Sequence, residues 1–151
     1  MKDTARITLV QLPNQDDDQA LQEQMVRFFQ EAAAYGSDLI AFPEYCLGNR
    51  ITCQHSNVLA LRPLAASHSM YAIAGMVESH GERWATTALV VDRGGTILGR
   101  YYKTHPASGP PPHFWPPIPG HDDEARGILG NQFTVFHLDF APIGILQCYD
   151  G

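Results

Sequence analysis

Three side chains that could act together in nucleophilic chemistry follow apolar stretches of this sequence. Glu44 comes directly after the apolar run 39–42 and Pro43, and Cys148 comes directly after 143–147. Lys103 follows the segment 99–102 in the same way. Open α/β sheets gather their reactive groups just beyond the carboxyl ends of strands. A thiol becomes a strong nucleophile when a carboxylate accepts its proton or an ammonium group stabilises the thiolate.

Each of these residues also has an ordinary interpretation when taken alone. Cys148 could be a small buried hydrophobe, because free cysteine is among the most buried residue types. Glu44 could cap a helix or a turn, and Lys103 could be a solvated surface lysine. Their placement at the ends of three different strands, 59 and 45 residues apart, favours a shared site.

The elements that would position these side chains begin with a strand, a helix and a second strand. The run 7–12 is apolar and β-branched and predicts the first strand. Three aspartates at 16–18 favour a helix start, and apolar residues from 21 to 33 follow at helical spacing. Gly36 is a suitable stop, and 38–42 returns to an apolar run.

The next segment is weakly helical from 56 to 68, where Pro63 either opens a short helix or kinks a longer one. The runs 71–77 and 87–91 then predict two more strands. The second of these turns through 92–95 into 96–98, which predicts a hairpin.

The last apolar runs, 133–138 and 142–147, predict two final strands. Strands separated by helices favour parallel pairing, whereas the hairpin adds antiparallel strands. The sequence therefore predicts an α/β fold with a mixed sheet.

Seven of the 11 prolines lie between Pro106 and Pro119, together with His113, Phe114 and Trp115. Because proline cannot donate to a ladder of hydrogen bonds, this stretch must be a long loop. It could be a solvent-exposed connection, a lid beside a pocket, or a polyproline ligand for a partner.

The composition restricts the class of protein. A chain of 151 residues with 44% hydrophobic and 17% charged residues can form a single folded domain. The net charge of −6, without a basic run, argues against nucleic acid as a partner. The sequence has no secretory apolar region and no membrane-spanning run, and its three cysteines match no redox pair or zinc ribbon. We therefore expect a cytoplasmic protein without a membrane partner.

Three segments in this order resemble the nitrilase, or carbon-nitrogen hydrolase, superfamily: 38–44, 99–105 and 143–150. The resemblance extends over nearly the whole chain, so it implies a single domain over residues 1–151. It implies half or more of a four-layer α-β-β-α sandwich with a mixed sheet. It also implies a Glu, Lys and Cys triad at the three residues named above.

The family's arrangement gives each residue of the triad a role. Cys148 is the nucleophile that forms a thioester, Glu44 is the general base, and Lys103 stabilises the oxyanion. The backbone N–H of Tyr149 is the natural second oxyanion donor. Many members have a second glutamate between the lysine and the cysteine, and Glu124 is the only glutamate there. The surrounding residues depart from the usual pattern, and a solvated acidic turn is the ordinary interpretation of Glu124.

The Cys-Tyr-Asp context resembles amidases and carbamoyl-amide hydrolases more than nitrilases. It implies that the substrate is a small amide or an N-carbamoyl compound. The predicted substrate-binding residues are Tyr45, His105, Phe114, Trp115 and Tyr149. No cofactor is expected, and no metal, because His113 and His121 stand eight residues apart in a spacing that matches no metal site.

Two other hypotheses stay open at this point. A papain-like hydrolase would pair Cys148 with His105 or His137, although the local sequence lacks that family's signature. Alternatively, the chain is a catalytically incomplete fragment or a non-catalytic binding protein. In the family, nearly as much chain again follows the cysteine, whereas this sequence ends at Gly151. We therefore expect truncation at the C-terminus, and a homo-oligomer when the protein is complete.

Overall fold

The structure of the protein is a computed structural model that describes residues 4–13, 17–107 and 121–151. It has two α-helices, seven strands and two short 3-10 turns within these ranges. The helices are α1 (Asp18–Ala34) and α2 (Ser56–Ser67); the strands are β1 (Ile7–Leu9), β2 (Leu39–Ala41), β3 (Tyr71–His80), β4 (Arg83–Val91), β5 (Ile97–Tyr102), β6 (Val135–His137) and β7 (Pro142–Gly144); the turns are His121–Arg126 and Cys148–Asp150. Most of the predicted proline-rich loop, with His113, Phe114 and Trp115, lies outside the described residues.

Five strands form a mixed sheet in the order β1-β2-β3-β4-β5. The first two pairs are parallel, because α1 and α2 carry the chain back across the sheet between successive strands. The last two pairs are antiparallel, because short turns join β3 to β4 and β4 to β5. The predicted mixed sheet and the predicted hairpin at 92–95 are therefore confirmed.

Helix α1 begins and ends close to the predicted positions. The Asp17 side chain caps it by accepting hydrogen bonds from the backbone N–H groups of Gln19 and Ala20. The chain leaves the helix through Gly36, whose φ of 68° favours glycine. The helix buries one apolar face, made of Leu21, Met25, Phe29 and Ala32.

Helix α2 continues past Pro63, so the longer of the two predicted helices is the one that forms. Its buried residues include Val58, Leu61 and Ala65. Burial of this face offsets the loss of the backbone hydrogen bond that proline cannot donate. Neither helix of the described part of the chain has the length and apolar character needed to cross a membrane.

The final two strands are shorter than predicted, and they pair with each other instead of extending the main sheet. Phe136 and Leu138 pack on Leu39, Tyr71 and Tyr101 of the main sheet. The residues beside these in the strands, such as Ile40 and Ala72, pack under the helices. Because neighbouring residues of a strand point to opposite faces, the helices and the β6–β7 sheet cover opposite faces of the main sheet. The described layers are therefore helix, sheet and sheet, which fits the predicted sandwich.

Candidate active site

Lys103 lies immediately after β5, and its side chain is only 2% exposed. Its backbone N–H donates to the carbonyl of Thr86 at 2.9 Å, which continues the ladder between β4 and β5. Its Nζ donates to Glu44 Oε1 at 3.0 Å and to both carboxylate oxygens of Glu124 at 3.0 Å. The solvated-lysine interpretation is therefore wrong. Burial alone would lower the pKa of Lys103, but the hydrogen bonds to the two carboxylates raise it above its ordinary value.

A tight turn after β2 places Glu44. Tyr45 in this turn has a φ of 63°, and the backbone N–H of Leu47 donates to the carbonyl of Gly75 at 2.9 Å. A Cβ at Gly75 would lie 2.6 Å from Glu44 Cα and 2.8 Å from the Pro43 carbonyl oxygen. Glycine in β3 is therefore what allows the Glu44 turn to lie directly against the sheet.

Glu124 lies in the turn His121–Arg126, and four groups of the described residues donate to its carboxylate. Besides Lys103 Nζ, these are the Tyr45 hydroxyl, the Thr86 hydroxyl at 3.2 Å and the backbone N–H of Ala107 at 2.6 Å. The Glu124 side chain is 12% exposed, so the solvated-turn interpretation is wrong.

The two carboxylates beside Lys103 differ in acidity. Burial raises the pKa of Glu44 above its ordinary value, and the opposing effect of Lys103 does not cancel this. Burial also acts on Glu124, but there the hydrogen bonds from Tyr45, Ala107 and Lys103 outweigh it and lower the pKa. Glu44 therefore takes up a proton more readily than an ordinary glutamate, whereas Glu124 remains ionised.

Cys148 is the first residue of the last turn, where it is exposed and has a φ of 49°. The buried-hydrophobe interpretation is therefore wrong. The contacts of the described residues connect this turn to the Lys103 cluster through Asp150. Its carboxylate accepts from the Tyr101 hydroxyl at 2.7 Å and from the backbone N–H of Thr104 at 3.0 Å. These two residues flank Lys103 along the chain, so the turn lies next to it.

Of the remaining predicted site residues, one lies in the Lys103 cluster and the others that the structure describes are exposed. Tyr45 joins the cluster, but its hydroxyl donates to Glu124. The His105 side chain is 63% exposed and its ring stacks on Phe133 with centroids 6.1 Å apart. Tyr149 is 40% exposed. Phe114 and Trp115 lie outside the described residues.

Three residues that shape the site were not among the predicted ones: Gly75, Thr86 and Asp150. An isolated glycine within a strand pattern is a sequence signal of close backbone approach, and it could have pointed to Gly75. The role of Thr86 depends on the register of β4 and β5, and nothing in its local sequence indicates it. Among the described residues, no group of three or more His, Cys, Asp or Glu side chains could hold a metal ion.

Comparison with known proteins identifies the family. Residues 6–151 match the family described as carbon-nitrogen hydrolase. The chain belongs to the carbon-nitrogen hydrolase family. An aliphatic nitrilase from Rhodococcus rhodochrous is 24% identical over 152 residues, which cover 85% of this chain and 38% of the nitrilase.

Solved structures of carbon-nitrogen hydrolases share the fold. An amidase from Nesterenkonia sp. matches with a TM-score of 0.75 and 21% identity, covering 97% of this chain and 58% of that one. A carbon-nitrogen hydrolase from Helicobacter pylori matches with a TM-score of 0.75 and 18% identity, covering 97% of this chain and 52% of the other. The chain thus spans little more than half the length of these structures, and 38% of the curated nitrilase.

Proposed function

We propose that this chain carries the catalytic residues of a hydrolase that cleaves the C–N bond of a small amide or N-carbamoyl compound. The observation that supports this most directly is the buried ammonium group of Lys103 between Glu44 and Glu124. A fixed positive charge in a site with little water stabilises a developing oxyanion strongly. The cysteine turn is connected through Asp150 to Tyr101 and Thr104, which lie on either side of Lys103 in the chain.

The first step of the proposed reaction is attack by the thiol. Cys148 Sγ forms a bond to the carbonyl carbon of the substrate, and its proton passes to Glu44. The carbonyl oxygen becomes an oxyanion, which Lys103 Nζ and the backbone N–H of Tyr149 stabilise.

The second step expels the nitrogen. Glu44 returns the proton to the leaving nitrogen, the C–N bond breaks, and a thioester to Cys148 remains. Water then attacks the thioester while Glu44 accepts its proton. The C–S bond breaks, Glu44 gives the proton to the departing Cys148 thiolate, and the acid product leaves with the enzyme regenerated. The raised pKa of Glu44 suits a group that must both accept and donate a proton near neutral pH.

Glu124 has a different part in this proposal. Its lowered pKa keeps it ionised, and both its oxygens accept from Lys103 Nζ. It therefore orients the ammonium group and balances its charge. Because its pKa is raised, Lys103 stays protonated and acts as a charge rather than as a proton donor.

Two comparisons bear on the substrate. One mutant of the amidase from Nesterenkonia sp. has been solved with acrylamide attached to its active-site cysteine by Michael addition, and another in complex with butyramide, whereas the curated relative is an aliphatic nitrilase. Amides and nitriles both present an electrophilic carbon that a thiol can attack. We favour amides because of the Cys-Tyr-Asp context, and nitrile hydrolysis is the second candidate because of the nitrilase relative.

A covalent trap on the native protein tests the proposal. The protein is mixed with short aliphatic amides, N-carbamoyl amino acids and nitriles, quenched in acid, and digested for mass spectrometry. We expect an acyl adduct on Cys148 with the amides or carbamoyl compounds, and steady release of the acid product. Cys148→Ala should lose both, whereas Cys53→Ala, which removes another thiol, should keep both.

The other outcomes are equally informative. Adducts and turnover with nitriles alone would replace amides by nitriles as the substrate class. Neither adduct nor turnover with any of the three classes would favour the non-catalytic alternative. Turnover that persists in Cys148→Ala would disprove the proposed nucleophile.

A further inference from the structure

The carboxylate of Asp150, two residues after Cys148, is completely buried and accepts five hydrogen bonds from the described residues. The donors belong to two segments of the chain: the end of β5 with the residues that follow it, and the residue just before Cys148. They are the Tyr101 hydroxyl at 2.7 Å, the Thr104 backbone N–H at 3.0 Å and hydroxyl at 2.7 Å, the His105 backbone N–H at 2.9 Å and the Gln147 backbone N–H at 3.1 Å. The Asp150 side chain therefore connects the residues at the end of β5 with the residue that precedes Cys148.

The charge of Asp150 makes these hydrogen bonds strong. Burial alone would raise the pKa of Asp150, but the hydrogen bonds from Tyr101 and Thr104, with those of the backbone, lower it well below its ordinary value. The carboxylate is therefore ionised, and hydrogen bonds to an ionised acceptor are about twice as strong as those between neutral groups. His105 Nδ1 also lies 3.4 Å from Asp150 Oδ1.

The same hydrogen bonds close the turn around the cysteine. Asp150 accepts from the backbone N–H of Gln147, and its own backbone N–H donates to the Gln147 carbonyl at 3.0 Å. Between them Cys148 has a φ of 49°, in the left-handed region that residues with a side chain rarely adopt. Such a conformation persists only where the surroundings determine it, and Asp150 supplies that constraint.

The hydrogen bonds of Asp150 connect the cysteine turn to the segment that carries Lys103. Tyr101 and Thr104 lie on either side of it, and the Lys103 backbone is itself fixed by bonds to Thr86 and Gly130. Asp150 therefore connects the cysteine turn directly to the segment that carries the ammonium group.

We propose that Asp150 is a positioning residue that fixes the Cys148 turn against the end of β5, so that the thiol faces a carbonyl group bound at Lys103. This inference rests on the proposed function, since it concerns the geometry of that reaction. Asp150 does not touch the reacting atoms; it acts through the conformation of Cys148.

The test compares Asp150→Asn with Asp92→Asn in the native protein. Asparagine keeps the shape of the side chain but puts an NH2 group where donors already converge. Asp92 is a matched control, because its carboxylate accepts from the backbone N–H groups of Gly94 and Thr96 at 2.8 Å in a turn of the β4–β5 hairpin. Steady-state kinetics on the amide identified by the covalent trap gives kcat and KM. Hydrogen exchange gives the protection of the backbone amides at 104, 105 and 147.

In Asp150→Asn we expect kcat to fall by about 100-fold, the loss that a displacement of roughly 1 Å can cause. KM should stay close to the native value, because Lys103 and the rest of the cluster are unchanged. The amides at 104, 105 and 147 should lose protection while those of β3 and β4 keep theirs. Asp92→Asn should leave kcat and KM at native values. A folded Asp150→Asn variant with native kcat would overturn the proposal, and so would equal losses of kcat in both variants.

A second variant covers the case in which Asp150→Asn does not fold. Tyr101→Phe removes one of the five hydrogen bonds and leaves the buried ring in place. We expect kcat to fall by about tenfold with KM unchanged, as for loss of one hydrogen bond to a charged group. Native kcat in this variant would count against the proposal.

The two proposals fail in different ways. If the native protein hydrolyses none of the compounds, the proposed function fails, and hydrogen exchange alone decides the role of Asp150. Loss of protection at 104, 105 and 147 in Asp150→Asn would then still support the proposed connection between the turn and β5. Unchanged protection would refute it.

Discussion

The cluster around Lys103 and the turn around Cys148 are built in opposite ways. Lys103 is 2% exposed and bonds directly to Glu44 and Glu124, which come from two other segments of the chain. Cys148 is exposed, and its turn is connected to the sheet through the side chain of Asp150. The charged groups need a fixed, water-poor setting, whereas a nucleophile must be reachable by the substrate.

This difference has a consequence for mutations. A buried ion cluster loses both stability and function when one member is removed, because the remaining charges are left unpaired. The exposed Cys148 side chain contributes little to stability, whereas the Asp150 carboxylate behind it is buried. Substitutions in the cluster should therefore change the free energy of unfolding and the activity together, and substitution of Cys148 itself should change mainly the activity.

The largest effect is expected from Lys103→Ala. It leaves Glu44 and Glu124 facing each other without the ammonium group, which should lower the free energy of unfolding by about 3–5 kcal/mol. Amide hydrolysis should be abolished. Denaturant unfolding and the rate of acid release measure the two effects.

Two histidine variants serve as controls for Lys103→Ala. His105→Ala and His137→Ala should keep most of the activity, because neither side chain contributes to the cluster. Loss of activity in a histidine variant together with full activity in Lys103→Ala would favour the papain-like pairing and contradict the triad.

A smaller effect is expected from Gly75→Ala, because Gly75 lies directly against the turn that carries Glu44. In Gly75→Ala the new methyl group would meet the backbone of Glu44, Pro43 and Tyr45 at 2.6–2.8 Å. Overpacking of this kind costs about 1–3 kcal/mol, and it should also displace Glu44 and lower kcat.

The matched control is Gly144→Ala, because nothing lies within 4 Å of a Cβ at that position. Its free energy of unfolding should change by no more than about 0.5 kcal/mol. Equal stability and kcat for the two variants would show that the Glu44 turn can move away from β3 without loss.

The smallest effect is expected from Tyr45→Phe, which removes the hydroxyl that donates to Glu124. The Thr86, Ala107 and Lys103 donors remain, so kcat should fall by about tenfold, or ~1.4 kcal/mol. Kinetics on the same amide separates two roles of this tyrosine. A rise in KM at constant kcat would instead support the predicted substrate-binding role.

Local sequence patterns were sufficient for most of the elements. The carboxylates at 16–18 and the apolar spacing up to 33 place α1, since capping and one-sided burial are properties of the segment itself. The sequence around Pro63 was compatible with either a short or a long helix. The energetic cost of proline is a local property, whereas the burial that offsets it depends on the sheet beneath α2. The separate pairing of β6 and β7 was not predicted, since periodicity does not specify a strand's partner.

The sequence by itself determined the order of Glu44, Lys103 and Cys148 and their positions after the segments 39–43, 99–102 and 143–147, although β7 ends at Gly144, before the run that precedes Cys148 is complete. Only the tertiary structure decided that Lys103 is buried, that Tyr45 and Thr86 donate to Glu124, and that Asp150 connects the cysteine turn to β5. These contacts join residues from 38 to 79 positions apart. They depend on the strand register and on the close packing at Gly75, which no local pattern of residues encodes.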